Sequence, residues 1–367
     1  MPSNLFTQNY FEKFFKINKL LGQGANGIVY KVEHFINDFS LGFFALKKIP
    51  IGNSSNLKKI LNEVELLCIL SHSNLNLVKY NHVWLEIDSM SQFGPKIPCA
   101  FILTEYCDGG NLEELVNDFI NPKLSTNEIK NIIRQKRKLK KINKNKDNLN
   151  SFPQIETRLL NYLEILKFFK DTTSGVNQLH KNHIIHRDLK PSNCLLSYKY
   201  DFKKFSQLDF NYNSNNKNKC IQFLNSLPTV FISDFGESQF EGNKRTSTGS
   251  TGTLEFVAPE FHKKYKNLNE FNKKTDIFGL GMILFFLCFG KLPYSASLFN
   301  DEEDQEYSEL KSEIIKFNII NFFQSNVFKR EYYRRDLPLE IYVLLESLLN
   351  YDADKRPLTE DILITID

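Results

Sequence analysis

Tryptophan occurs once in this chain of 367 residues, methionine three times and cysteine six times. The cysteines (Cys68, Cys99, Cys107, Cys194, Cys220 and Cys288) are scattered, with no CxxC pair and no ligand-like spacing to a histidine. That argues against a zinc site and a disulfide framework, and it suits a reducing compartment. Long apolar runs are missing too. The most apolar stretch, IFGLGMILFFLCF at 277–289, has 13 residues, too few to span a bilayer, and reads as a buried helix. The N-terminus, MPSNLFTQNYFEKFF, lacks the basic start, apolar stretch and small-residue cleavage site of a signal peptide. Neither sign of charge dominates. The 47 Lys and Arg stand against 43 Asp and Glu, and a net +4 is too small to imply a nucleic-acid or membrane partner by itself. No internal repeat is visible. What remains is ordinary globular composition, in a chain long enough for two lobes and a sizeable core. A soluble, intracellular protein is expected, cytoplasmic by default.

The first hundred residues read mostly as strands. KINKLLGQGANGIVYKVEH gives two apolar runs joined by a Gly-rich turn, and FFALKKI gives a third strand. NLKKILNEVELLCILS has helical spacing, with Leu57, Ile60, Leu61, Val64, Leu67 and Cys68 on or near one face. Two further strand-like runs fall around LVKYNHVWLEI and CAFILTEY. After CDGG the pattern becomes helical: NLEELVNDFI, then RLLNYLEILKFFKDTTSGVNQLHK, then the buried segment at 277–289. The chain therefore divides near 108–110 into a strand-rich lobe, 1–108, and a helix-rich lobe, 109–367. Two spans interrupt the second lobe and read as surface insertions: 121–154, which holds eight Lys or Arg in the thirteen residues 134–146, and 197–227, without a clean period.

Chemistry begins with GQGANG at 22–27. The GxGxxG pattern alone is weak, and a dinucleotide fingerprint needs a helix after it. Here the strand-like IVYKV follows. The remaining readings are a hairpin whose glycine tip lets backbone N–H groups approach phosphates, and a plain Gly-rich turn. Twenty residues past Gly27, Lys47 sits inside the apolar strand ALKK. An unpaired buried ammonium is costly, so phosphate oxygens or a helix carboxylate must meet it. Glu63, nine residues before His72, is preferred over Glu65 for that pairing, and a solvated lysine is the bland alternative. Farther on, IIHRDLKPSNCLL and VFISDFGES each set a carboxylate beside an apolar run. Asp188, Lys190, Asn193 and Asp234 together offer a base, a cation and two oxygen ligands. Magnesium prefers oxygen donors and shares them with phosphates. Phosphoryl transfer needs positioning and charge neutralisation more than covalent help.

These motifs, in this order from Gly22 to Arg356, resemble a eukaryotic protein kinase of the Ser/Thr type. The resemblance implies an α+β, bilobal protein-kinase fold: a small N-terminal β-sheet lobe with one long helix and a large helical C-terminal lobe. It implies ATP and Mg as cofactors, with Gly22, Gly24 and Gly27 over the phosphates. Leu21, Val29, Ala45, Thr104 and Leu195 would enclose the adenine, and backbone groups of Glu105 and Cys107 would meet it. Lys47, paired to Glu63, would hold the α- and β-phosphates. Asp188 would accept the substrate hydroxyl's proton, Lys190 would contact the γ-phosphate, and Asn193 and Asp234 would bind Mg. An ion pair between Glu260 of APE and Arg356 of DKRP is implied, as is a hold by Asp276 on the backbone around Asp188. In TDIFGLG, Phe278 and Gly279 stand where the family has Trp and Ser, a departure expected to affect packing rather than chemistry. Lys190 and the Thr253 of GTLEFVAPE favour Ser/Thr over Tyr substrates, and Phe256 replaces a common Tyr. The run VWLEIDSMSQFGPKIPCAFILTEYCDGGNLEEL is similar to fungal kinases of the IKS type. Trp84 within it also resembles the branch of translation-factor kinases.

Arg187 beside Asp188 is a second cation without a substrate to hold. In the family such an Arg often pairs with a phosphate on the activation loop, here offering Ser247, Thr248, Ser250 and Thr251 to an upstream kinase or to the chain itself. The alternative is a loop ordered without phosphate. The basic run at 134–146 reads either as a nuclear-import or polyanion patch or as a solvated insertion. With the chain ending soon after Arg356, no regulatory domain is expected to follow. Protein substrates are the expected partners, with neither nucleic acid nor membrane insertion. The rival readings are a pseudokinase scaffold, which would require loss of Lys47, Asp188, Asn193 or Asp234, a nucleic-acid module built on the basic run, and a small-molecule kinase.

Overall fold

The computed structural model describes residues 5–24, 27–70, 76–91, 93–120, 158–201, 217–242, 254–262, 272–294 and 303–366. A short helix α1 (Tyr10–Phe14) leads into β1 (Phe15–Gly24), β2 (Gly27–Ile36) and β3 (Phe39–Pro50). The long helix α2 (Ser54–Leu70) follows, then β4 (Tyr80–Ser89) and β5 (Lys96–Glu105). The five strands form one antiparallel sheet in the order β1-β2-β3-β5-β4.

Side-chain alternation gives β3 two different faces. Leu46 points outward into an aromatic layer with Val32, Trp84, Phe101 and Phe15, and α1 covers it through Tyr10, Phe11 and Phe14. Phe15, Trp84 and Phe101 stack in series at centroid distances of 5.3 and 5.0 Å. Inside the layer the buried Glu86 carboxylate accepts from the Trp84 indole N–H and from the Phe11 backbone N–H. The opposite face of β3 carries Ala45, Lys47 and Ile49 toward α2 and the cleft. On α2 the buried stripe is Ile60, Glu63, Val64, Leu66, Leu67 and Leu70, while Leu61 is half exposed and Cys68 is exposed. The stripe is thus rotated from the one the apolar spacing suggests. A carboxyl group sits within it, paired with Lys47.

The second part opens with α3 (Leu112–Ile120) and α4 (Tyr162–Lys181), the latter started by an Asn161–Glu164 capping box. Three strand pieces, β6 (Ile184–Ile185), β7 (Cys194–Leu196) and β8 (Val230–Ile232), lie close to α4. Between β7 and β8 runs α5 (Lys217–Asn225), inside the span that lacked a clean period. It carries Phe223, and Leu227 beyond its end, into the main core. Then come β9 (Gln239–Phe240), which pairs with β6, and α6 (Lys273–Phe289). Helix α6 is buried along almost its whole length and coincides with the apolar run at 277–289. Among the described residues no helix is long and apolar enough to cross a membrane. The chain closes with α7 (Glu303–Lys316), α8 (Ile319–Gln324), α9 (Asn326–Glu331), α10 (Leu339–Leu348) and α11 (Thr359–Ile366).

Candidate active site

The site lies in a cleft of about 1130 Å³ whose walls come from the sheet, α2, the 106–111 linker and the loops beside β7 and β8. Its roof is the β1–β2 hairpin, closed by the Gly24–Gly27 pairing. At Gly27, φ is 130° and a Cβ would stand 2.3 Å from the Lys48 carbonyl oxygen, so only glycine fits. At Gly22 and Gly24 a Cβ would meet no atom within 4 Å. Packing inside the chain therefore does not demand glycine there. Side-chain-free backbone over an open cleft is what a phosphate group requires.

On the back wall three charges converge. Lys47 Nζ is 2.8 Å from Glu63 Oε1 and 2.9 Å from Asp234 Oδ1. Lys47 reaches both because β3 aims it at the cleft and α2 runs alongside. Asp234 follows β8 in a left-handed turn, φ 62°, a strained choice for a non-glycine residue. Burial opposes the Lys47 charge, but Glu63 and Asp234 more than offset it and raise its pKa. Burial also pushes the Asp234 carboxyl up. Lys47, then His186 and the Gly236 N–H, outweigh this and hold it low. Glu63 goes the other way: its burial dominates, and its carboxyl is raised despite Lys47.

On the floor, the segment 186–193 is held by a buried carboxylate from α6. Asp276 accepts from the backbone N–H of His186 at 2.9 Å and of Arg187 at 3.0 Å, and pairs with His180 Nε2 at 2.9 Å. The His186 ring is wholly buried. Its Nδ1 accepts from the Asp188 N–H and its Nε2 lies 3.1 Å from the Ser233 carbonyl, which fixes the Nε2–H tautomer. The ring thereby ties the Asp188 loop to the Asp234 turn, and Phe235 packs edge-on against it at 5.6 Å. Arg187 has φ 70° and donates to Gln239 Oε1 at 2.9 Å.

This scaffold sets Asp188 beside Lys190 and Asn193. Lys190 Nζ lies 2.9 Å from its Oδ2, and Asn193 Nδ2 donates to its carbonyl at 2.8 Å and its Oδ2 at 3.1 Å. With its nitrogen so committed, the Asn193 amide has its oxygen to offer a cation. Asp234 is 41% exposed toward the cleft. One amide oxygen and one carboxylate suit Mg, which keeps water and phosphate oxygens as its other ligands. Among the described residues no group of three or more His, Cys, Asp and Glu forms a closed metal cage.

Leu21, Val29, Ala45, Thr104, Cys107 and Leu195 line the same cleft. The Glu105 N–H donates to Lys79 O at 3.0 Å, and its carboxylate accepts from the Lys79 N–H. Burial, then Glu105, pushes the Cys107 thiol up to about 12, so it stays protonated and is no nucleophile near neutral pH. The Glu260–Arg356 pair is bidentate, at 2.7 and 2.9 Å, with Arg356 stacked on Phe278 at 5.1 Å. Ser247, Thr248, Ser250, Thr251, Thr253 and the run 134–146 lie outside the described residues. His180 went unread in the sequence: it is 96 residues from Asp276, and no local pattern marks it.

A protein kinase domain model matches residues 15–365, and the chain belongs to that family. Members generally depend on ATP and Mg and act on proteins. The chain is 32% identical, over its full length, to a probable serine/threonine-protein kinase, iksA, of Dictyostelium discoideum. It is 24% identical, over 95% of its length, to the serine/threonine-protein kinase ATG1 of Kluyveromyces lactis. It is 26% identical, over 83% of its length, to the interferon-induced, double-stranded RNA-activated protein kinase of Mus musculus. It spans 33%, 35% and 48% of those proteins respectively, so it corresponds to a third to a half of each.

Proposed function

We propose that this chain is an active protein serine/threonine kinase domain, and one observation carries the reading. Lys47, Glu63, Asp234 and Asn193 line one cleft, and Asn193 in turn holds Asp188, which is paired with Lys190. A pseudokinase scaffold would lack at least one of these groups. Bound ATP with Mg would supply the phosphoryl group and the charge that offsets its oxygens. Lys47 would hold phosphate oxygens, kept cationic by Glu63 and Asp234. Asn193 and Asp234 would hold the metal. Asp188 would orient the substrate hydroxyl and take its proton, with Asn193 fixing its carboxylate and Lys190 neutralising charge beside it. The lobes at 1–108 and 109–367 belong to the same proposal, as do a cytoplasmic setting and activation by phosphate at Ser247, Thr248, Ser250 or Thr251.

A radioactive phosphate-transfer assay on Ser/Thr peptide libraries tests the core claim. Asp188→Asn should lower kcat about a thousandfold. Equal incorporation by both proteins would sink the catalytic reading and revive the scaffold.

A further inference from the structure

Lys31 has no part in the chemistry above. It lies on β2 two residues after Val29, so the two side chains share the cleft face, and its partner across β3 is Ala45. An ammonium on that face needs company. Nζ stands 4.1 Å from the centroid of the Tyr106 ring, 4.7 Å from that of Phe43 and 3.7 Å from Asp108 Oδ1. Tyr106 and Asp108 belong to the linker between β5 and α3. Lys31 thus crosses from the roof of the cleft to the linker.

We propose that Lys31 is a positioning residue that pins the β1–β2 hairpin to the linker through the face of Tyr106. The proposal rests on the nucleotide-binding reading above. The hairpin needs such a hold. β1 is an edge strand, the pair joins the sheet only through β3, and the glycines at its tip carry no side chains to set its height. Which contact does the holding follows from exposure. Asp108 is 66% exposed, so its ion pair at 3.7 Å is screened and weak. The Lys31 side chain is 22% exposed between two rings, where a cation–π contact is stronger than in open water. The aromatic faces, not the carboxylate, fix Lys31.

The test titrates the chain with a fluorescent ATP analogue and follows peptide phosphorylation alongside. Lys31→Met should raise the nucleotide Kd and KM about fivefold while kcat at saturation stays within about twofold. Lys31→Arg should restore binding, because a guanidinium stacks on the same ring. Placed in a Tyr106→Phe background, which keeps the ring, Lys31→Met should still cost about fivefold; placed in Tyr106→Leu it should cost nothing. An unchanged Kd for Lys31→Met, or equal costs in both backgrounds, would overturn the proposal while wild-type binding leaves the nucleotide reading intact. A wild-type chain that bound no nucleotide would overturn both.

Discussion

Glu63 and Asp276 are both buried carboxylates, 7% and 2% exposed, yet their surroundings move them in opposite directions. Around Glu63, burial wins. Its single cation, Lys47, also serves Asp234, and the nearby charges of Asp234 and Glu237 push the carboxyl higher still. Around Asp276, burial loses to His180, then to His186 and the Arg187 backbone N–H, and the carboxyl is held low. The floor of the cleft is therefore a fixture: several donors on one acceptor within one lobe. The back wall is a link between separately placed elements, in which two carboxylates share one lysine. The fixture supplies stability, and the link supplies geometry.

The sharpest way to break this contrast is to remove each carboxylate in turn. Asp276→Ala leaves two buried backbone N–H groups and His180 without their acceptor, and should cost about 3–5 kcal/mol in urea or thermal melts. Glu63→Gln should change stability by less than about 1 kcal/mol, because folding already disfavours its charge, and Gln keeps its shape. Its cost should appear instead as a fall of roughly tenfold to a hundredfold in kcat/KM, as Lys47 loses its guide. Comparable melts for the two variants would erase the distinction.

Acid titration probes the same contrast with a smaller effect. Asp276 has a folded pKa below its ordinary 3.8, so its contribution is complete above that value and is lost as pH falls through the folded one. Glu63 has a folded pKa above its ordinary 4.5. Between 4.5 and that raised value the native state binds more protons than the unfolded one, so Glu63 makes stability rise as pH falls. Chemical melts across pH should therefore show Glu63→Gln losing this rise above 4.5, while Asp276→Asn loses stability that the wild type keeps above 3.8. Parallel pH curves for wild type and Glu63→Gln would refute the assignment of signs.

How much of this was legible beforehand follows from what a sequence period can report. The strands, the α2 helix, the buried run at 277–289 and the pairing of Lys47 with Glu63 were readable, because each rests on local alternation or on a charge inside an apolar element. Helix α1, with five residues, is too short to display a period, and α5 lies in an Asn- and Lys-rich span without a clean one. The aromatic layer that α1 covers depends on contacts some 70 to 90 residues apart, as between Tyr10 and Trp84 or Phe11 and Phe101. Within the site, the family motifs named the groups around Asp188. The His180–Asp276 and Lys31–Tyr106 contacts join residues that are distant in sequence, and His180 and Lys31 belong to no motif.

Gly279 offers the mildest challenge to the fixture. It stands where the family resemblance leads one to expect Ser, and a Cβ there would lie 3.1 Å from the Leu189 Cβ and 3.5 Å from the Leu189 carbonyl oxygen. Leu189 is 4% exposed and sits directly after Asp188, three residues from His186, whose N–H rests on Asp276. The absent side chain thus lets the catalytic segment settle against α6 at closer range than serine would allow. Gly279→Ser must push Leu189 outward by a few tenths of an ångström, and overpacking of this kind costs about 1–2 kcal/mol. The Asp276 bonds to two backbone N–H groups resist that shift, so the cost should fall on the melting temperature, with kcat changing less than about threefold. A large loss of kcat without a drop in melting temperature would mean that the segment yields at Asp188 rather than at α6, and that the floor is less rigid than its hydrogen bonds imply.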